Sequence, residues 1–225
     1  MSVFAAHQKI IIPVLRWHYW QGLPTELPEL RSVDPLLRRR LSPQGRAGLA
    51  VADRCAEGVG ACRVVYASRH GELARTLGLM ESLRPQDPDG PSPASFALSV
   101  LNSTPGIYSI ARKDTSPAVA VSAGAESCWC GLLEAALIAA EAPGPVLLIC
   151  ADAPVPALFR QGVPDPAPIC ALAVLLGGGG AEHELAFGAS AGPDAVDALP
   201  ALAAALRDGG VWTGEHRAWR LVARA

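Results

Sequence analysis

Lysine is nearly missing from this sequence: Lys9 and Lys113 are the only two in 225 residues, and arginine carries the remaining positive charge. Neither sign dominates, with nineteen basic residues against twenty-one acidic ones and a formal net charge of −2. A chain without a broad cationic field cannot hold a phosphate backbone by charge, which excludes a general nucleic-acid binder. Long apolar runs are also lacking, and none approaches the roughly 20 residues that a membrane-spanning helix needs. The early stretch Ile10 to Leu15 (IIIPVL) is short and interrupted by Pro13, and no small-residue cleavage site follows it. Neither an anchor nor a secretory leader is expected, and the reading is a cytoplasmic protein.

What is present is apolar material. Half of the residues are hydrophobic and 18% are charged, enough for one domain with a sizeable core spanning 1–225. The six cysteines are scattered through a chain too long to need a disulfide framework, so reduced thiols are expected. Cys128-Trp129-Cys130 has the look of half a metal site. Its setting is helical, however, and residues two apart on a helix point to nearly opposite sides, so no metal and no cofactor is expected.

Strand and helix signals alternate along the chain. Residues 9–20 (KIIIPVLRWHYW) are rich in branched and aromatic side chains and predict a first strand. Ser42-Pro43 supplies a capping hydroxyl and a proline at the first helical position, opening a helix that runs to Gly58. Arg63 to Ser68 predicts a second strand. Gly71 to Leu83 predicts a helix with Leu73, Leu77 and Met80 on one face, and 84–93 a surface loop. A short helix is expected over 105–112, and a compact buried strand over Pro117 to Val121. The helix from about Glu126 to Ala142 is apolar around most of its circumference, which predicts burial on every side. Val146 to Ala151 is a buried strand, and Ile169 to Leu176 and Glu184 to Phe187 flank four glycines as a hairpin would. A helix near 194–207 and a strand near 217–223 complete an α/β layered pattern.

Several clusters could carry chemistry. Gly188-Ala189-Ser190-Ala191-Gly192 has the form of a nucleophile elbow, with Asp208 and His216 after it in hydrolase order. An elbow sits mid-sheet, though, and only one helix and one strand remain beyond it, which favours a small-residue turn. Arg38, Arg39, Arg40 and Arg46 form a basic cluster before a helix, either a solvated face or a dock for an acidic partner such as an acyl carrier protein. Arg69, His70, Gly71 and Glu72 lie just past a strand end, where α/β folds often place functional groups; His70 could equally cap the next helix or bond a backbone carbonyl.

Three blocks carry a family resemblance: LLRRRLSPQGR over 36–46, ASRHGEL over 67–73 and GLLEA over 131–135. With the stretch from Ser92 to Asp152 they resemble the N-terminal half of the β-ketoacyl synthases. More narrowly, they resemble the half-length synthase and chain-length-factor proteins of bacterial aryl polyene pigment pathways. The resemblance implies half of a thiolase-like fold: α-β-α layers, a mixed five-stranded sheet and a buried central helix. Active members hold a cysteine in the turn before that helix, where the helix N-terminus lowers the thiol pKa and the sulfur accepts an acyl group. That position falls on Gly124, which has no side chain. The family's two catalytic histidines belong to a C-terminal half that has no counterpart here, and neither His183 nor His216 sits in a matching motif.

The resemblance therefore implies a non-catalytic subunit that pairs with a full-length β-ketoacyl synthase and shapes its acyl tunnel. The strand Ala118, Val119, Ala120, Val121 and Ser122 would pair across the dimer, with Phe96 and Asn102 near the interface and the carrier protein reached through the partner. Other readings are an acyltransferase acting through Cys128, a hydrolase acting through Ser190, or a self-paired scaffold.

Overall fold

The computed structural model describes residues 11–84, 90–141, 143–160, 168–177, 183–189, 198–213 and 217–223. The first strand, β1 (Ile11–Gly22), leads through a loop to the short helix α1 (Pro35–Arg38) and then to α2 (Pro43–Cys55). Ser42 caps α2 as its sequence predicts: the hydroxyl accepts the Gly45 N–H at 3.0 Å. Next come β2 (Arg63–Ala67), α3 (Leu73–Glu81), α4 (Pro93–Ser99), α5 (Ser103–Arg112) and β3 (Ala118–Val121). A 3-10 turn at Gly124–Glu126 opens into α6 (Ser127–Glu141), followed by β4 (Val146–Asp152) and β5 (Ile169–Leu176). The chain continues through β6 (His183–Ala189), α7 (Ala198–Asp208), β7 (Gly210–Thr213) and β8 (Arg217–Ala223).

The strands form one sheet in the order β3-β2-β4-β5-β1-β6-β8-β7. Its first five are the expected mixed sheet: β3, β2 and β4 run parallel, and β5 runs antiparallel to both β4 and β1. Three further antiparallel strands extend it. Alternation along the buried strands sorts side chains to two layers. On one face Val65, Ala67, Leu148, Cys150, Leu172 and Val174 pack under α6 and α7. On the other, Val64, Tyr66, Leu147, Ile149, Ala171 and Ala173 pack under α2 and α5. This is the α-β-α layering of half a thiolase-like fold.

Helix α6 lies very close to the sheet. A Cβ added at Gly131 would sit 2.6 Å from Cβ of Ala67 and 3.2 Å from Cδ1 of Leu148, so only glycine permits that approach.

Four expectations are corrected. β5 and β6 do not form a hairpin: β1 lies between them, pairing Val14–Gly22 with β5 and Ile11–Val14 with β6. Just past β5 the Gly177 N–H still meets β1, donating to the Pro13 carbonyl at 2.9 Å. Strand adjacency is a long-range property, and two apolar runs beside glycines look alike whether they pair or flank a third. Helix α6 is not buried all round: Leu132, Ala135 and Ala136 are sealed against the sheet, whereas Leu137 is 46% exposed. Its apolar circumference exceeds what one sheet face covers. β3 is a half-exposed edge strand, because among the described residues it pairs with β2 alone and no strand covers its outer side. The face foreseen for α3 is only half covered, since Leu73 and Leu77 are half-buried and Met80 is 56% exposed. Its neighbour α4 was not foreseen.

Candidate functional site

The parallel strands β2, β3 and β4 deliver Ser68, Ser122 and Asp152 to one edge of the sheet, the carboxyl edge where open α/β sheets bind ligands. Between β3 and α6 the backbone turns at Gly124 with φ +58°, a left-handed conformation that glycine adopts freely. A Cβ there would meet no atom within 4 Å, so the space beside it is open. The turn is pinned by Ser127, whose hydroxyl accepts the Ala123 N–H and donates to the Gly124 carbonyl, both at 2.8 Å. Ser122 ties it sideways by donating to the Arg69 carbonyl at 3.2 Å.

Cys128 stands in the first turn of α6, nearer the positive helix end than the sequence suggested, but only 3% exposed. Its Sγ lies 2.9 Å from Sγ of Cys150, whose thiol is pushed well up by burial and by that neighbour. Cys130 is half-buried.

Beside the turn a buried polar network fills the strand ends. Asp152 Oδ1 accepts the Arg69 N–H at 2.6 Å and the Ser68 hydroxyl at 3.1 Å. Gln44, in the first turn of α2, donates through Nε2 to Ser68 Oγ and to the Gly71 carbonyl, each at 3.1 Å. Glu72 accepts the Ser42 hydroxyl at 2.8 Å and pairs with Arg75 at 3.2 Å. Burial pushes both carboxyls up, against the pull of these hydrogen bonds. His70 is exposed at the rim and is held below its ordinary value by partial burial and by Arg69. It does not cap α3, whose N-cap position is Glu72 without a side-chain bond.

His70, Glu72 and Asp152 border a cavity of about 380 Å³ walled by Leu73, Val155 and Ile169. Its walls are mostly apolar, with Ser42, Gln44, His70, Glu72, Asp152 and Arg160 as the polar members, the composition usual for a small-molecule site.

Of the arginine cluster, Arg39 and Arg40 are exposed, while Arg38 is half-buried and bonds the Leu30 carbonyl at 2.8 Å. Arg75 links the cluster to the cavity, bonding the Arg40 carbonyl at 2.6 Å as well as Glu72. Arg46 is half-buried with a partnerless Nε. Phe96 on α4 is 61% exposed and Asn102 is exposed ahead of α5. Neither shares a hydrogen bond with the Gly124 turn among the described residues. Ser190 and His216 lie outside the described residues. Sequence reasoning singled out the segment that holds Glu72 but missed Gln44 and Asp152; their signals were the polar residue ending the apolar run VLLICA and the polar residue just after the capping Ser42.

Residues 17–209 match the family model of the β-ketoacyl synthase N-terminal domain. The chain belongs to that family. No curated protein matches it. Among solved structures it is similar to a chain of the ketosynthase ApeO in complex with its chain length factor ApeC from Xenorhabdus doucetiae. There the identity is 28%, with 95% of this chain and 99% of that one covered and a TM-score of 0.73. The ishigamide ketosynthase/chain length factor matches over 77% of this chain and 56% of its own at 18% identity, TM-score 0.57. A β-ketoacyl synthase from Burkholderia phymatum matches over 73% and 51% at 18% identity, TM-score 0.53. These last two share the fold, and this chain spans about half the length of each.

Proposed function

We propose that this β-ketoacyl synthase-family chain is a non-catalytic subunit of the chain-length-factor kind. It would pair with a full-length β-ketoacyl synthase and help to shape the acyl tunnel in aryl polyene biosynthesis. The observation that carries the reading is the turn at Gly124: open space next to the start of the central helix, with no nucleophile to occupy it. The nearest sulfur, Cys128, is sealed against Cys150, out of reach of an acyl thioester.

Edge strand β3 supports the pairing. Its outer edge has no strand partner among the described residues, and Val119, Ala120 and Val121 are half-buried on a surface that a second sheet could continue. The similarity to the complex of a ketosynthase with its chain length factor supports the same arrangement. His70, which lines the cavity, and Arg39, Arg40 and Arg69 are the proposed contacts for an acyl carrier protein reached together with the partner.

Co-expression with a full-length β-ketoacyl synthase tests the reading. A stable one-to-one complex that elongates malonyl units, while this chain alone takes up no acyl group by intact mass, is the expected result. Acylation of the isolated chain, or a monomer indifferent to every such synthase, overturns it.

A further inference from the structure

A second cavity lies on the other helical layer, away from the Gly124 turn, between α2, α5 and the loop before α1. It measures about 340 Å³, at the small end of the range for small-molecule sites and far more than one water needs. Two buried polar groups without partners among the described residues border it, with two more accessible polar residues beside them. Tyr108 is 3% exposed and its hydroxyl has no hydrogen-bond partner, nor has the buried Nε of Arg112. Asp53, half-buried, and Ser32, exposed to solvent, form no hydrogen bond or ion pair with any described residue. Buried polar groups are rarely left unserved in native structures.

The charges are arranged to stay apart. Arg112 is held by its own contacts, with Nη2 donating to the Val59 carbonyl at 2.6 Å and the guanidinium 5.5 Å above the Tyr108 ring. Asp53, on the opposite helix, lines the same cavity yet makes no ion pair with it. Two buried donors on α5 without partners and a half-buried carboxylate on α2 that pairs with no described residue line one cavity, and together are complementary to a molecule with an anionic end and a cationic end. Leu30, Val33, Leu49 and Ala111 supply apolar walls between them.

We propose that this cavity binds a small zwitterion of the amino-acid type with an aliphatic side chain. Its carboxylate would take hydrogen bonds from Tyr108 and Arg112, and its ammonium would face Asp53 and Ser32. The site belongs to the lone chain and does not depend on the partner reading.

Titration of the full chain with leucine, 4-methylpentanoate and 3-methylbutylamine, followed by amide chemical shifts, tests it. Leucine is expected to bind saturably with shifts at 32, 53, 108 and 112, and each half-ligand at least about tenfold more weakly. Tyr108→Phe and Asp53→Asn should each weaken leucine by about tenfold. Tyr108→Phe should leave the thermal midpoint unchanged or higher, since it removes a buried hydroxyl that has no partner. The proposal is overturned if no probe binds saturably, which would leave water as the only occupant. Equal binding of 4-methylpentanoate and leucine would remove the role of Asp53 and overturn it too. A lower midpoint for Tyr108→Phe with unchanged leucine binding would do so as well, by assigning the hydroxyl to the fold.

Discussion

The Sγ atoms of Cys128 and Cys150 face each other 2.9 Å apart, one in the first turn of the central helix and the other in the middle of β4. Cys128 stands at the helix end, but burial beside a second thiol removes the access that reactivity requires. Iodoacetamide on the folded chain should therefore modify the half-buried Cys130 and Cys170 first and spare Cys128 and Cys150. Cys55 should also be spared, because burial pushes its thiol up to about 12. Peptide mass mapping checks the order, and early labelling of Cys128 would contradict the structure.

Two glycines should respond differently to alanine. At Gly131 the new methyl would press on Ala67, and a cost of about 1–3 kcal/mol is expected. At Gly124 the methyl meets open space, so only the left-handed backbone is penalised, about 1–2 kcal/mol. Urea titrations compare them, with the added result that Gly124→Cys should gain a rapidly alkylated thiol.

Asp152 and Glu72 are both raised in the folded protein. The native state then holds protons that the unfolded chain has released, so these groups contribute stability at low pH that is lost as pH rises through their folded values. Asp152→Asn keeps an oxygen for the Arg69 N–H and the Ser68 hydroxyl without the buried charge. Stability at neutral pH should hold or rise, and its decline with pH above the ordinary carboxylate range should flatten. Denaturation midpoints across that range measure both. A steeper decline in the variant would contradict the burial argument.

The edge strand gives a test of assembly that spares the fold. Ala118→Arg puts a charge on an exposed position of β3, and its effect on the lone chain should stay within about 0.5 kcal/mol. Co-purification with a full-length synthase should be lost, as charges on an edge block strand addition. Loss of thermal stability in step with loss of pairing would point instead to damage of the sheet.

Reversing the exposed pair Arg39 and Arg40 to glutamate should weaken acyl carrier protein binding by about tenfold at low salt, with a smaller effect at high salt. Surface plasmon resonance on the assembled complex resolves this from any change in pairing.

Most of the layered architecture was legible in the residues. β2, β4 and the capped α2 are local patterns: alternating or continuous apolar runs and a Ser-Pro opening, each of which sets its own structure. Three features were not local. The place of β1 between β5 and β6 depends on which distant strands meet. The half-exposed state of α6 depends on how many layers the chain supplies. The cluster of Gln44, Glu72 and Asp152 assembles from three separate segments, so no spacing announces it. Gly124 was legible only through resemblance, because a glycine in a small-residue turn carries no chemical signal of its own.

The step of the chain across β1 divides the sheet into unequal halves. β6, with β8 and β7 behind it, shares a backbone ladder of four residue pairs with the five-stranded core, Ile11–Val14 against His183–Ala186, beside the packing of Trp212 under α7. The eight-residue pairing on the far side of β1 is twice as long. Such a short seam can unzip as one cooperative unit while the core stays closed. Deuterium uptake should sweep through 183–189 and 217–223 long before it reaches Val146–Asp152, so the carboxyl edge that holds the Gly124 turn stays rigid when the far wing opens.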